Sequence, residues 1–314
     1  MTRILTLTLN PAIDRTVTLD RLVPGEVHRA RAVRDDAGGK GINVASCLAD
    51  WGIPVTAAGV LGAGNAAAFE ALFSAKGIAD RCVCVAGETR TNLKLVDPAG
   101  TTDVNLPGLA LDPATLRAVR AVLAEEAGPD TLAVLAGSLP VGAEAGLYAE
   151  LTAELKARGA RVLLDVSGPP LAAALSAGIL PDIVKPNRHE LEEWAGRPLP
   201  ALADVVEAAR DLNRRGIPLV AVSLGAEGAV FVRGAEALHA LAPAVDVAST
   251  VGAGDALVAG LVAGVFADLS LADTARLALA FAAGKLTRAG ANLPGRGEVE
   301  AVATTIEVRV LPTR

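Results

Sequence analysis

The chain has 314 residues and a formal net charge of -6. It is long enough to bury a large core, and its acidic balance argues against a non-specific nucleic-acid or anionic-membrane surface, which needs clustered lysine and arginine. Three cysteines without CxxC spacing or nearby histidines argue against a zinc site or a disulfide framework. We interpret them as buried thiols in a reducing cytoplasm.

Runs of β-forming apolar residues alternate with helix-length segments along the chain. The predicted strands are Ile4–Leu9, Val55–Leu61, Cys82–Val85, Thr131–Ala136, Arg161–Asp165, Ile183–Lys185, Leu219–Leu224 and Ala229–Val232. The predicted helices are Ile42–Trp51, Ala66–Lys76, Glu144–Arg158, Pro170–Ala177 and Ala203–Arg215. Such alternation builds βαβ units, so the sequence predicts an α/β fold with a mostly parallel central sheet. The strand-like start lacks an apolar signal segment, and we expect neither export nor a membrane span.

Two segments interrupt this alternation. The first contains two predicted strands, Arg15–Asp20 and Val27–Arg34, joined through Pro24 and Gly25, and the segment Thr91–Leu106 contains two more, joined through a turn at 97–100. Both segments are too polar for the core, so we predict a small β-sheet lid built from two insertions. A four-stranded sheet with one exposed apolar face favours pairing with a second copy, and we expect a homodimer.

The sequence Gly252-Ala253-Gly254-Asp255 precedes an apolar segment, Ala256–Ala267, that we predict to be a helix. Unpaired N–H groups and the helix dipole favour an anion at such a junction. A carboxylate repels a bound phosphate there, unless it takes a proton from a hydroxyl that attacks the phosphate. The structural alternative is an acidic helix cap.

A second glycine turn, at 38–41, opens the helix predicted from Ile42. Within it Lys40 could face a phosphate and Asn43 could hold sugar hydroxyls; the alternative is a solvated lysine at an ordinary polar helix start. Arg90 and Asn92 lie at a strand start near the predicted lid. A guanidinium can bind a phosphate through two parallel hydrogen bonds, although an isolated arginine is usually a surface residue.

Asn187 and Glu190 follow a predicted strand and share one face of a helical turn, where an amide and a carboxylate can position water-ligated magnesium. The same spacing is that of a capping box. The glycine-rich turn at 223–229 suits the close approach of a nucleotide, or a simple hairpin. Ligands of open α/β sheets bind beyond the carboxyl ends of strands, so the polar strand endings should converge on one crevice. These endings are Gly137-Ser138, Asp165, Asn187 and Gly225.

Seven motifs resemble, in order, the PfkB branch of the ribokinase-like carbohydrate kinases. They are TLNPAID at 8–14, GGKGINVA at 38–45, TRTNLKL at 89–95, GSLP at 137–140, KPNRHELEEWAG at 185–196, SLGAEGA at 223–229 and STVGAGDA at 249–256. The resemblance covers about residues 4–295. It implies one ribokinase-like domain over 1–314, with three αβα layers and a β-sheet lid from insertions at about 14–35 and 90–106.

The resemblance also implies an activity, namely ATP- and magnesium-dependent phosphorylation of a sugar phosphate. The motifs at 8–14, 89–92 and 185–196 look most like those of members that phosphorylate fructose 1-phosphate at its 6-hydroxyl. Members that act on tagatose 6-phosphate share several of them, so tagatose 6-phosphate and fructose 6-phosphate stay open as acceptors.

Site roles follow from the same resemblance. Asp255 is implied as the catalytic base, with the amides of Gly252, Ala253 and Gly254 as the anion hole. The residues implied on the sugar-phosphate side are Asp14, Gly39, Lys40, Asn43, Arg90, Asn92 and Ser138, with Arg29 as a lid residue that reaches the same or the neighbouring subunit's site. Those implied on the nucleotide and magnesium side are Lys185, Asn187, Glu190, Ser223, Gly225 and Gly228. Ser249 stands where potassium-dependent members carry an aspartate, which leaves a potassium requirement open.

A dinucleotide-binding protein is the alternative from another class. Residues 62–67 match GxGxxA between a predicted strand and a helix. Such a turn also needs an acid at the end of the next strand to hold the ribose, and Asp80 instead precedes its strand. A non-catalytic sugar-phosphate sensor is disfavoured because it has no need of Asp255, Asn187 and Glu190 together.

Overall fold

A computed structural model describes residues 2–245, 252–288, 290 and 292–312. The strands of this part of the chain are β1 (Arg3–Thr8), β2 (Ala12–Thr18), β3 (Ala32–Gly38), β4 (Val55–Gly62), β5 (Ala79–Val85), β6 (Thr91–Asp97), β7 (Gly100–Val104), β8 (Thr131–Ala136), β9 (Arg161–Asp165), β10 (Ile183–Val184), β11 (Leu219–Ser223), β12 (Ala229–Arg233), β13 (Glu236–Ala240) and β14 (Val308–Val310). The helices are α1 (Lys40–Asp50), α2 (Ala67–Lys76), α3 (Pro113–Glu126), α4 (Leu147–Ala157), α5 (Pro169–Leu175), α6 (Arg188–Ala195), α7 (Leu202–Arg214), α8 (Ala253–Phe266), α9 (Leu271–Leu286) and α10 (Arg296–Thr305).

Ten strands form the main sheet, in the order β14-β13-β12-β11-β10-β9-β8-β1-β4-β5. All neighbours from β5 to β11 pair in parallel, and β12, β13 and β14 add an antiparallel edge. The chain runs outward from β1 in both directions, through β4 to one side and β8 to the other. This reversal of strand order makes the crevice beyond the carboxyl end of β1 the expected ligand site.

Helices cover both faces of this sheet, because its strands are apolar on both sides. In β8, Leu132 and Val134 point into one core cluster while Ala133 and Leu135 point into the other. The first cluster is covered by α1, α2, α8, α9 and α10, and the second by α3 to α7. Three layers result, as a parallel sheet requires. No helix within the described ranges is both long enough and apolar enough to cross a membrane.

The second sheet has four strands, in the order β3-β2-β6-β7. Its register separates two faces. One carries polar side chains that line a cleft against α8 and α9, namely Asp14, Thr16, Arg34, Asp36 and Lys94. The other carries the apolar side chains of Val17, Val33, Leu93, Leu95 and Val104. The predicted lid of two insertions is therefore present, and it is amphipathic.

The predicted second lid strand, Val27–Arg34, is wrong, because the strand observed is β3. Val27 is 98% exposed in the preceding loop, and pairing with β2 begins only opposite Thr18. The register places Asp35 opposite Arg15, which it binds through two hydrogen bonds of 2.6 and 2.7 Å. Cross-strand charge pairing of this kind stabilises a strand that its own sequence disfavours.

The interpretation of all three cysteines as buried thiols is correct only for Cys47. Cys82 is partly buried and Cys84 is exposed on β5. Burial raises the pKa of the Cys47 thiol to about 12, so it is inert at neutral pH.

The helices α8 and α9 lie unusually close together because glycines on α8 face the backbone of α9. A Cβ on Gly260 would lie 2.6 Å from Cα of Ala278 and 2.9 Å from the carbonyl oxygen of Leu277. One turn later, a Cβ on Gly264 would lie 2.7 Å from the Thr274 side chain. Only glycine permits this approach, which fixes the end of α9 relative to the start of α8.

Substitution of Gly260 by Ala should therefore separate the two helices. We expect a loss of about 1–3 kcal/mol in the free energy of unfolding, as for other insertions into a packed interface. The matched control is Gly297→Ala in α10, where the added Cβ meets no atom within 4 Å. That variant should change stability by no more than about 1 kcal/mol, in the stabilising direction. Chemical denaturation measures both, and equal stabilities would contradict the packing argument.

Candidate functional site

The polar strand endings do converge on one crevice. Asp165 ends β9, and its carboxylate lies 3.3 Å from Nζ of Lys40 and 3.2 Å from Nζ of Lys185, which follows β10. Asn187 and Ser223 form a parallel β-bridge beyond the same edge. Lys40 begins α1, so the first glycine turn also opens into this crevice.

The N-terminal turn of α8 lies at the same edge. Gly252 caps the helix in the left-handed conformation, with φ of 79°, and the first helical bond runs from the N–H of Ala256 to its carbonyl. The N–H groups of Ala253, Gly254 and Asp255 consequently have no partner within the helix. A Cβ on Gly254 would meet no atom within 4 Å, so the turn is open to a ligand. This geometry favours an anion.

Asp255 is buried in this turn, and Nδ2 of Asn43 donates to its Oδ2 at 2.7 Å. Burial raises the pKa of the Asp255 carboxyl above its ordinary value, and the negative charge of Asp165 acts in the same direction. The charge of Lys40 and the hydrogen bond from Asn43 oppose the shift. The site therefore holds a carboxylate that is more basic than an ordinary aspartate, next to unpaired N–H groups.

Asp165 has the opposite electrostatic setting. It is buried, which alone would raise its pKa, but the charges of Lys185 and Lys40 hold the pKa below its ordinary value. The pKa of Lys40 is raised, because the attraction of Asp165, Asp255 and Glu190 outweighs its burial. Asp165 thus stays ionised and holds two ammonium groups at the crevice.

The polar face of the lid forms the opposite wall of the cleft. Asp14 pairs with Lys94 at 3.3 Å and accepts a hydrogen bond from Asn92 at 3.4 Å. Lys94 lies two residues after Asn92 on β6, so strand alternation within the motif at 89–95 could have identified it. Lys285, near the end of α9, also lines the cleft, and no motif indicated it.

Arg90 lies where the lid meets the main sheet. Its guanidinium donates to the backbone carbonyls of Asn10 at 3.1 Å, Pro11 at 3.2 Å and Leu106 at 3.1 Å. Burial lowers the pKa of this guanidinium below its ordinary value. Ser138 accepts a hydrogen bond from the Asn10 side chain at 3.0 Å. This network connects the predicted acceptor-site residues to the end of β1.

Two of the implied acceptor residues differ in setting. Arg29 is exposed in the loop between β2 and β3, and like Arg90 and Ser138 it is not among the residues that line the cleft. Gly39 has φ of 119°, and a Cβ there would lie 2.9 Å from the Thr8 side chain and 3.0 Å from Cα of Pro11. A glycine is therefore required at 39 by packing.

Asn187 and Glu190 form the capping box that the sequence allowed. Oδ1 of Asn187 accepts from the N–H of Glu190 at 2.9 Å, and Oε2 of Glu190 accepts from the N–H of Asn187 at 2.8 Å. The box begins α6 and fixes both side chains at the crevice. Within the described residues no three His, Cys, Asp or Glu side chains are grouped as a metal site.

The two glycines in the turn after β11, Gly225 and Gly228, have different surroundings. Gly225 has φ of 61°, and a Cβ there would meet no atom within 4 Å, so the turn is open to a ligand at this point. A Cβ on Gly228 would lie 2.0 Å from the carbonyl oxygen of Ala240. Gly228 is therefore required by the packing of β13. Ser249, which bears on the potassium question, lies outside the described residues.

The GxGxxA turn of the dinucleotide alternative is closed by the chain itself. A Cβ on Gly62 would lie 2.3 Å from the backbone nitrogen of Thr89, and the Gly62 N–H donates to the Thr89 hydroxyl at 2.9 Å. The Asn65 side chain also pairs with the backbone of Thr89 in both directions. Residues 87–89 occupy the space next to these glycines, where a pyrophosphate would have to lie.

These features agree with the relationships of the chain. It matches the model of the pfkB family carbohydrate kinases over residues 7–296. The protein therefore belongs to this family, and the expected ribokinase-like fold is confirmed.

Three known proteins illustrate the relationship. A 1-phosphofructokinase of Xanthomonas campestris pv. campestris is 56% identical over 282 residues, which are 88% of this chain and 89% of that protein. A 1-phosphofructokinase of Rhodobacter capsulatus is 53% identical over 314 residues, covering 99% of this chain and 98% of the relative. The crystal structure of Escherichia coli phosphofructokinase-2 in complex with substrates and products is 29% identical, with a TM-score of 0.91 over 96% of this chain and 99% of that chain.

The setting of Asp255 predicts its titration. We expect its carboxyl to bind a proton at a higher pH than an ordinary aspartate, whose pKa is about 3.9. Asn43→Ala should raise this pKa further, because it removes a hydrogen bond that stabilises the ionised form. Carboxyl-carbon NMR titration measures both, with Asp255→Asn for assignment. Asp165 is the internal reference, and a pKa of Asp165 above that of Asp255 would overturn this account of the site.

Proposed function

We propose that this protein transfers the γ-phosphoryl group of ATP to the 6-hydroxyl of fructose 1-phosphate, giving fructose 1,6-bisphosphate and ADP. The observation that carries the proposal is Asp255, a buried carboxylate placed beside the open N–H groups of the α8 N-terminus. The names of the relatives at 53% and 56% identity support fructose 1-phosphate as the acceptor.

Asp255 acts as the general base in this proposal. The 6-hydroxyl oxygen forms a bond to the γ-phosphorus as the bond between that phosphorus and the ADP oxygen breaks, and the hydroxyl proton passes to the carboxylate. A raised pKa suits this role, since a base is more effective when its pKa approaches the working pH. The bond from Asn43 orients the carboxylate.

The amides of Gly252, Ala253 and Gly254 act as the anion hole for the transferred group. Charge on this group is stabilised by donors that are already in place before the reaction, because the α8 turn is fixed by its packing. Lys40 and Lys185 add positive charge on the side of Asp165. We assign the positive charge of Lys40 to the acceptor side and that of Lys185 to the nucleotide side.

ATP binds along the ends of β10 and β11 in this proposal. Gly225 lies at the open point of the turn after β11, and Gly228 packs against the backbone of Ala240. The residues assigned to ATP are Lys185, Asn187, Ser223, Gly225 and Gly228. Glu190 is assigned to Mg²⁺. One carboxylate beside an amide fits this ion, which usually keeps several waters and binds phosphate oxygens together with one or two carboxylates. When bound there, magnesium would neutralise part of the negative charge of the phosphates.

The acceptor lies between α1, the α8 turn and the polar face of the lid. Asp14, Gly39, Asn43, Asn92 and Ser138 surround its hydroxyls, and Arg90 binds its phosphate. Arg90 uses one N–H on each guanidinium nitrogen for the carbonyls of residues 10, 11 and 106. Since a guanidinium carries five N–H donors, two remain for the phosphate.

A coupled ADP-release assay with ATP and Mg²⁺ tests the reaction and its acceptor. Among fructose 1-phosphate, fructose 6-phosphate, tagatose 6-phosphate and free fructose, we expect the highest kcat/KM with fructose 1-phosphate. Asp255→Asn should still bind ATP and the sugar phosphate while kcat falls by about 10²–10⁴, the usual contribution of a general base. A higher kcat/KM with tagatose 6-phosphate would select the alternative acceptor, and unchanged turnover in the variant would remove Asp255 as the base.

We further propose that two copies pair through the apolar face of their lids. On this face Val33 is 58% and Val104 is 40% exposed, although both are large apolar side chains. Leu93 and Leu95 continue the same face between them. A second copy would cover this surface and bring its exposed Arg29 near the first copy's lid.

The free thiols support a reducing compartment, so we assign the enzyme to the cytoplasm.

Val33→Asp should weaken this association, because it places a charge in the apolar interface. Sedimentation velocity over a range of concentrations should show dimers for the wild-type protein and mainly monomers for the variant. Val310→Asp is the control, since Val310 is 79% exposed on β14, away from the lid. A wild-type protein that stays monomeric, or a Val33→Asp variant that stays dimeric, would exclude pairing through this face.

A further inference from the structure

Lys285 is a buried lysine that the proposed reaction has not used. Only 2% of the residue is exposed, and the hydrogen bond recorded for its ammonium goes to the carbonyl of Arg288 at 3.4 Å. Within the described residues no carboxylate lies within 4.0 Å of its Nζ, whereas the other buried lysine, Lys185, pairs with Asp165. Burial lowers the pKa of Lys285. A buried ammonium without a close carboxylate is costly, and such groups concentrate at functional sites.

The position of Lys285 is set by the turn that begins α8. Its Cε lies 3.2 Å from the point that a Cβ on Gly252 would occupy. Nδ2 of Asn43 and Oδ2 of Asp255 each lie 3.9 Å from the same point. The lysine, the amide and the carboxylate therefore all lie close to Gly252, and a side chain at 252 would displace the lysine.

The packing of α8 on α9 holds Lys285 there. Lys285 lies in the last turn of α9, and Gly260 brings α8 against Leu277 and Ala278, about two turns earlier on the same helix. At the end of α9, Gly284 faces Pro294, with 2.9 Å between the Pro294 ring and an added Cβ. The lysine therefore extends from a helix that is closely packed on both of these sides, unlike a lysine on a flexible surface.

The charged and titratable groups that face Lys285 come from several elements. Asp255 on α8 and Asp36 on β3 favour its charged form, and Lys94 on β6 opposes it; the Cys47 thiol on α1 would favour it only when ionised, and it is neutral at neutral pH. Asp255 is assigned to the acceptor hydroxyl, and Asp36 lies across the cleft on the lid. A bound phosphoryl group at the α8 turn would supply the negative charge that the lysine otherwise lacks at short range.

We propose that Lys285 is a positioning residue for phosphoryl transfer, a buried cation beside the α8 N-terminal turn that holds the Gly252 peptide in place and stabilises charge collecting on the transferred group. The inference rests on the proposed kinase reaction. It adds a positive charge next to Gly252, on the wall of the cleft, to the backbone N–H groups of the turn.

Lys285→Met tests the charge, because methionine keeps the length of the side chain and suits a buried site. We expect kcat to fall by about 10²-fold, a typical effect of removing one preorganised donor, while KM for ATP and for the acceptor changes little. Lys156→Met is the matched control. Lys156 lies on α4, outside the proposed site, and pairs with Asp182 at 2.6 Å, so its loss should leave kcat unchanged.

Lys285→Ala supplies a second readout, which a purely structural role would not produce. The shorter side chain leaves space behind Gly252, and methylammonium or ammonium in the buffer should restore kcat in a saturable manner. The same salts should leave wild-type, Lys156→Met and Lys285→Met rates unchanged. Thermal unfolding and circular dichroism report whether Lys285→Met folds. If it does not, the rescue of Lys285→Ala by small cations still tests the proposal.

Two results would overturn the proposal. One is a folded Lys285→Met variant with wild-type kcat, or with a loss confined to KM; the other is a Lys285→Ala variant that small cations do not restore. All rates are expressed relative to the wild type with the acceptor that it uses best. A wild type that turns over none of the acceptors would instead refute the proposed kinase reaction, so the two failures are distinguishable.

Discussion

The site depends on two buried carboxylates whose negative charges are balanced by different neighbours. Asp165 lies between two lysines that keep it ionised, whereas Asp255 receives one amide hydrogen bond and lies close to the negative Asp165. The difference separates their chemistry. Asp165 is a counter-charge that holds the ammonium groups of Lys40 and Lys185, and Asp255 binds a proton more readily than an ordinary aspartate. In the proposed reaction, the N–H groups of the α8 turn and the two ammonium groups offset the negative charge of Asp255 toward a bound anion.

Most of the fold could be predicted because its signals are local. The strand Thr131–Ala136 and the strand Arg161–Asp165 have the predicted limits, since a strand buried on both faces is a continuous apolar run between turn residues. The turn at 97–100 forms as predicted, with Asp97 accepting from the backbone N–H groups of Ala99 and Gly100. The strand endings converge because parallel strands present their carboxyl ends at one edge.

What could not be predicted depends on contacts between distant segments. The start of β3 is set by its register with β2, so the strand begins at Ala32 and not at Val27. The motif places Gly228 on the nucleotide side, but its need for glycine follows from the nearby backbone of Ala240, which no motif indicates. Lys285 lies in a segment without a motif, and only the packing of α9 on α8 brings it to Gly252. The capping box at Asn187 confirms the structural interpretation of that spacing, whereas magnesium binding at Glu190 stays a proposal.

The position of Arg90 has a consequence for the movement of the lid. Four chain segments connect the lid to the main sheet, and one guanidinium touches three of them: Asn10 and Pro11 after β1, its own segment before β6, and Leu106 after β7. Arg90 therefore restrains independent changes in the angles of β2, β6 and β7. In the proposed reaction, the guanidinium that binds the acceptor's phosphate is also the one that ties these lid segments to the end of β1. Binding of the acceptor and the position of the lid would then be coupled through one side chain.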